Sequence, residues 1–105
     1  MNKIYNYLGL AQRAGRLASG EYAVEGQIRK NKVALLIIAA DAALNTLKKF
    51  SSLAENQKLK FYILGKKEML GHAIGKSPRA VLGVLDQGFA AVIQNRIKEL
   101  GREES

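Results

Sequence analysis

The sequence predicts an α/β fold, a three-layer α/β/α sandwich around a small, roughly four-stranded mixed sheet. Two observations carry that prediction. Short apolar runs of strand length, "VALLIIAA" (33–40), "KFYIL" (60–64) and "AVLGVL" (80–85), are each followed by a polar turn and a segment of helical periodicity. Glycines stand at the segment ends, and one proline lies in a turn. Alternation of this kind buries a sheet between two layers of helices.

Each element has its own justification. Ile4, Tyr7, Leu8 and Ala11 recur at i, i+3, i+4 and i+7 and make one apolar helical stripe, which Gly15 stops. "RLASG" (16–20) is a short extended piece. Ser19 is placed to cap a second helix running to about Lys30, with Glu21 favourable in its first turn. "VALLIIAA" is continuous, rich in branched residues and bounded by polar ones, as a buried central strand requires. Asp41 or Asn45 opens a third helix to about Asn56, with Leu44, Leu47 and Ala54 on its inner side. "KFYIL" is the next strand, ended by Gly65. "KKEMLGHAIG" (66–75) is a short helix with Met69, Leu70, Ala73 and Ile74 inward and Gly75 closing it. "KSPR" (76–79) is a turn and "AVLGVL" a strand. Asp86 caps a last helix that ends near Leu100, with Gly101 beyond.

A chain of 105 residues supports one core, so residues 1–100 form a single domain and "GREES" a frayed tail. Without cysteine there is no disulfide framework and no thiolate metal site. The longest apolar run, eight residues, is far short of a membrane span, and the N-terminus has no continuous apolar segment of signal-peptide type. The expectation is a soluble, cytoplasmic, monomeric protein.

Charge separates the function classes. The net charge is +8, and the segment from Arg29 to Arg79 holds 11 basic and 3 acidic residues, which accounts for all of it (11 − 3 = 8). A basic excess confined to the middle of a chain reads as a surface facing a polyanion. Enzyme chemistry finds no support. "GHAIGKS" (71–77) resembles a phosphate-binding loop, but its glycines are four apart rather than five, and Pro78 follows where a long helix should begin. His72 is the only histidine, and the acids are scattered, so no metal set is expected and no cofactor is implied. Ser77, His72 and Asp41 lack the nucleophile elbow that would make them a triad.

The binding candidates lie in turns. Ser19-Gly20-Glu21 opens a helix whose free N–H groups favour a phosphate or a base carbonyl, and Glu21 can accept hydrogen bonds from a base edge. Tyr22 stands beside it, suited either to a base or to the core. Arg29, Lys30 and Lys32 supply charge at the far end of the same segment. Lys76, Ser77, Pro78 and Arg79 offer a second basic turn.

The runs "SGEYAV…IRKNKVALLIIAADA" and "KFYILGKKEMLGHAIGKSPRAVLGVL" resemble the kink-turn-binding ribosomal protein family of L-seven-Ae type, over about Ile4 to Arg96. "LGLAQRAGRLASGE" and "DAALNTLKK" are most similar to its bacterial YlxQ-type branch. The resemblance implies an α/β/α sandwich that binds structured RNA, ribosomal RNA among the expected partners, without catalysis. It adds the segment Asp41 to Leu47 and the loop Lys76 to Val81 to the expected surface. The family's loop reads Gly-x-Asn-Glu-x-x-Lys; here Gly20 matches, but Tyr22, Ala23 and Gly26 replace its Asn, Glu and Lys. Structured-RNA binding is therefore the better-supported expectation than strict kink-turn reading. The rival is a protein-interaction adaptor on the same fold, its charge serving solubility. DNA binding lacks a helix-turn-helix or basic-arm signature.

Overall fold

The computed structural model describes residues 1–104, with side-chain surroundings through residue 101. Among these, the order is α1 (Asn2–Arg13), β1 (Leu17–Ser19), α2 (Glu21–Arg29), β2 (Leu35–Ile38), α3 (Leu44–Asn56), β3 (Phe61–Ile63), α4 (Lys67–Ala73), β4 (Val81–Val84) and α5 (Gln87–Glu104). The strands form one mixed sheet of order β1-β4-β2-β3. β2 is parallel to β3, while β4 is antiparallel to both β2 and β1.

The central strands are apolar because both their faces are covered. Every residue of β2 and β4 is buried. α1 packs with α4 and α5, and α2 packs with α3, giving the two helical layers. Register fixes the faces: Leu36 pairs with Gly83 and Ile37 with Leu82, and paired residues share a side of the sheet. Gly83 lies under α2, where an added Cβ would meet Val33 and Val24 at 3.3–3.4 Å.

Several helix ends differ from the sequence expectation. Ser19 does not cap α2; it is the last residue of β1, paired with Leu82, and the cap position falls to Gly20 at φ 89°. Neither Asp41 nor Asn45 opens α3, whose cap position is Ala43. Asp41 instead accepts a hydrogen bond from the Lys67 N–H at 2.8 Å, so it caps α4 from across the sheet end. Asp86 does cap the last helix, accepting from the Phe89 N–H at 2.8 Å. α5 runs on through Gly101 to Glu104; Ser105, and the side chains of the tail expected to fray, lie outside the described residues.

Two inward assignments are also corrected. Leu44 is 63% exposed, because it sits about 120° round α3 from buried Phe50. Met69 is 43% exposed, about 100° from buried Leu70 on α4.

Candidate nucleic-acid interface

Strand direction assembles the site. β1, β2 and β3 all run the same way, so their C-terminal ends meet at one end of the sheet. Each leads into a helix there: β1 into α2, β2 into α3 and β3 into α4. β4 runs the opposite way, so the turn before it, Ser77–Ala80, joins the same end. An open groove results, lined by Ser19 to Ala23, Ala43, Thr46, Lys67 and Pro78 to Ala80.

Three helix N-termini open toward this end. No side chain caps α2 or α3 among the described residues, and their first backbone bonds come from Val24 to Gly20 and from Leu47 to Ala43. The N–H groups of the residues before Val24 and Leu47 therefore stand outside the helical ladders and carry the positive end of the dipole. Such donors suit a phosphate or a base carbonyl.

Arg79 ties the groove together. Its Nη1 donates to the Ser77 Oγ at 2.7 Å, the Ser77 carbonyl at 3.1 Å and the Pro78 carbonyl at 3.3 Å. Its Nε donates to the Ser19 Oγ at 3.3 Å, joining the β4 turn to β1. All four acceptors are neutral, and no carboxylate lies within ion-pair distance of Arg79, Lys67 or Lys76 among the described residues. The Arg79 guanidinium is held in place yet left uncompensated, which suits a phosphate partner.

The turn is held by backbone as well. Arg79 N–H donates to the Lys67 carbonyl at 3.0 Å and Lys76 N–H to the Gly71 carbonyl at 2.9 Å. The segment "GHAIGKS" thus has a structural role, in which Gly75, at φ 72°, ends α4 and turns the chain into Lys76 and Ser77. Asp41 and Ser77 are both engaged with other partners than His72, which is exposed.

Glu21 is exposed in the first turn of α2, and its Oε2 accepts from the Thr46 hydroxyl at 3.2 Å. Thr46, 7% exposed, is the one buried polar side chain among the described residues. The bond links the starts of α2 and α3 and leaves Glu21 with acceptor capacity for a base amine. Tyr22 lies on the face of α2 opposite Val24 and Ile28 and is 95% exposed, so its alternative as a core residue is excluded.

The predicted basic residues divide into two groups. Pro78 and Arg79 line the groove with Ser19 to Tyr22, Ser77 is bonded to Arg79, and Lys76 comes just before them in the chain. Arg29, Lys30 and Lys32 sit at the other end of α2, about 12 Å along the helix axis from its start. Arg29 is bound to Glu25 at 2.6 Å, and Glu25 also meets Lys49 at 2.7 Å. Lys49 first, then Arg29, hold the Glu25 carboxyl below its ordinary range. Leu47 is half-buried on α3 and packs against the core, while Asp41 is exposed and engages the start of α4 through its Oδ1. Lys67 is a groove residue that sequence reasoning missed, with no signal beyond its charge; Thr46 was reached only as part of the segment Asp41–Leu47.

Comparison with known proteins agrees with this architecture. The model of the "Ribosomal protein L7Ae/L30e/S12e/Gadd45 family" matches residues 2–94. An RNA-binding protein YlxQ of Bacillus subtilis is 40% identical over 83 residues, covering 79% of this chain and 83% of its own. An RNA-binding protein YlxQ of Enterococcus faecium is 38% identical over 88 residues, covering 84% of each. A solved structure of a protein of unknown function from Bacillus halodurans superposes with a TM-score of 0.88 at 36% identity, covering 91% of this chain and 97% of that one. The 15.5kD RNA binding protein of Giardia lamblia superposes at 0.75 with 23% identity, covering 91% of this chain and 85% of that one, and so shares the fold.

Proposed function

The chain belongs to the ribosomal protein L7Ae/L30e/S12e/Gadd45 family, and on that premise we propose that it binds structured RNA, without catalysis, through the groove at the C-terminal ends of β1–β3. The observation that carries the proposal is the convergence there of two uncapped helix N-termini with Arg79 and Lys67, whose charged side-chain groups have no carboxylate within ion-pair distance among the described residues. Phosphates answer to Arg79, Lys67, Lys76 and the helix N–H groups; Glu21 is the nearest reader of a base edge. The relatives named as RNA-binding proteins support the class of partner. The proposed RNA is ribosomal, bound by a monomer in the cytoplasm.

Counterion release sets the first test. With about four to six phosphates contacted, log K falls with log salt at a slope on the order of −3 to −5. Filter binding or anisotropy with a structured RNA from low to moderate salt measures it. A flat response, or no binding at low salt, overturns the proposal in favour of a protein-interaction adaptor.

A second test concerns kink-turn selectivity. Tyr22→Asn, Ala23→Glu and Gly26→Lys together rebuild the family loop on α2. Packing does not oppose them: Tyr22 and Ala23 are exposed, and a Cβ at Gly26 meets nothing within 4 Å. The preference for RNA with tandem G·A pairs over the same RNA with Watson–Crick pairs should rise by about tenfold or more, since base contacts contribute about 1–3 kcal/mol each. A folded triple variant with unchanged preference would show that the loop register differs from Gly-x-Asn-Glu-x-x-Lys.

A further inference from the structure

We propose that Tyr22 is a base-stacking residue that receives one unpaired nucleotide of the bound RNA, and that the bare stretch of α2 around Gly26 is the floor on which that nucleotide lies; the inference rests on the RNA reading above. Three observations converge on it. Tyr22 is 95% exposed, and no hydrogen bond or packing partner holds its ring among the described residues. The residue stands on the ridge between two surface depressions. One is the groove of Arg79 and Lys67; the other runs along α2 past Ala23, Glu25 and Gly26 to Arg29 and Lys30. Finally, Gly26 is one helical turn beyond Tyr22 and Lys30 one turn further, so the three share a face of α2.

Each component has a physical reason to be there. A tyrosine ring exposed on a helix gains nothing from the core, but offers a π-face to any base, whatever its identity. Gly26 weakens a helix relative to alanine and is not required by close packing, since a Cβ there meets open space. Its absence of side chain leaves the helix backbone bare at the foot of the ring. Lys30, exposed and without an acidic partner among the described residues, closes the far end as a phosphate contact. This layout differs from a reader that hydrogen-bonds paired bases. It selects an unstacked nucleotide, as internal loops and bulges provide.

The test uses the full chain and a hairpin RNA with an internal loop carrying 2-aminopurine at one unpaired position. Stacking on Tyr22 should quench the 2-aminopurine fluorescence on binding. Tyr22→Ala should abolish that quench and weaken binding about tenfold, within the range of a lost base–aromatic stack. Tyr22→Phe should retain both within about twofold, because the ring face and not the hydroxyl makes the contact. Neither change should alter binding to a fully paired duplex of equal length, and circular dichroism melts should coincide, since Tyr22 has no buried contact. Walking the 2-aminopurine through every unpaired position locates the stacked nucleotide. Absence of a Tyr22-dependent quench at all of them, or equal losses for Tyr22→Ala on hairpin and duplex, overturns the inference. If Arg79→Ala weakens hairpin binding while Tyr22→Ala does not, only this inference falls. If the wild-type chain does not bind the hairpin at all, the RNA reading falls with it.

Discussion

Replacing Gly71 with alanine is expected to destabilise the domain by about 3 kcal/mol, the upper end of overpacking costs. Gly71 is buried in α4, and the turn before β4 lies directly on it. A Cβ there would overlap the Ser77 carbonyl oxygen and stand 2.7 Å from the Ser77 carbonyl carbon and 2.9 Å from the Pro78 Cα. These are backbone atoms, so no rotamer change relieves the clash. The turn itself is pinned by Lys76 N–H on the Gly71 carbonyl and Arg79 N–H on the Lys67 carbonyl. The gain in helix propensity, about 1 kcal/mol, works the other way and is outweighed. For a domain of this size the midpoint should fall by roughly 10–20 °C. Gly26→Ala is the matched control, because its Cβ meets open space, and it should raise the midpoint slightly. A thermal melt of Gly71→Ala within about 2 °C of the wild type would show that the turn is not seated on α4 as described.

Removing the basic turn should have the largest effect on binding. Lys76→Ala with Arg79→Ala is expected to weaken structured-RNA affinity by about 30- to 700-fold, two hydrogen-bonded charge contacts at about 1–2 kcal/mol each. Arg79 is half-buried and bonds to Ser19, Ser77 and Pro78, so its loss also costs about 1 kcal/mol of stability. Lys76 is exposed and should be neutral for folding. Arg96→Ala with Lys98→Ala removes equal charge from α5, remote in sequence from the groove and with Arg96 already paired to Glu99 at 3.0 Å. That control should lose less than about fivefold, the residual long-range term. Equal losses at both pairs would mean that net charge alone governs binding and that the turn is no site.

The fold was legible because its signals are local. The run Val33–Ala40 has no polar residue to place on a solvent face, which makes it a central strand in any arrangement, and β2 is buried throughout. The Ile4, Leu8 and Ala11 stripe is buried as its spacing requires. Helix starts were less legible. Ser19 has the chemistry of a cap, but pairing of Ser19 with Leu82 draws it into the sheet, and Gly20 takes the cap position at a φ that disfavours other residues. Asp41 also has cap chemistry and uses it, on a helix 26 residues away. Local propensity identifies a capping side chain without identifying which helix it will cap.

The sequence by itself determined the layer architecture, the core and the middle segment that carries the charge excess, because periodicity and composition are properties of neighbours along the chain. The tertiary structure alone decided which charges act together. Arg29 and Lys30 are close in sequence to the Ser19–Tyr22 turn, yet a nine-residue helix carries them to its opposite end. Lys67 and Arg79 are distant in sequence, yet they line the same groove as that turn. The reason is strand direction: three strands running one way place three helix starts at one end of the sheet, and the antiparallel fourth returns its leading turn to the same place. Hydrogen-bond pairing between strands sets that direction, and no single segment contains it.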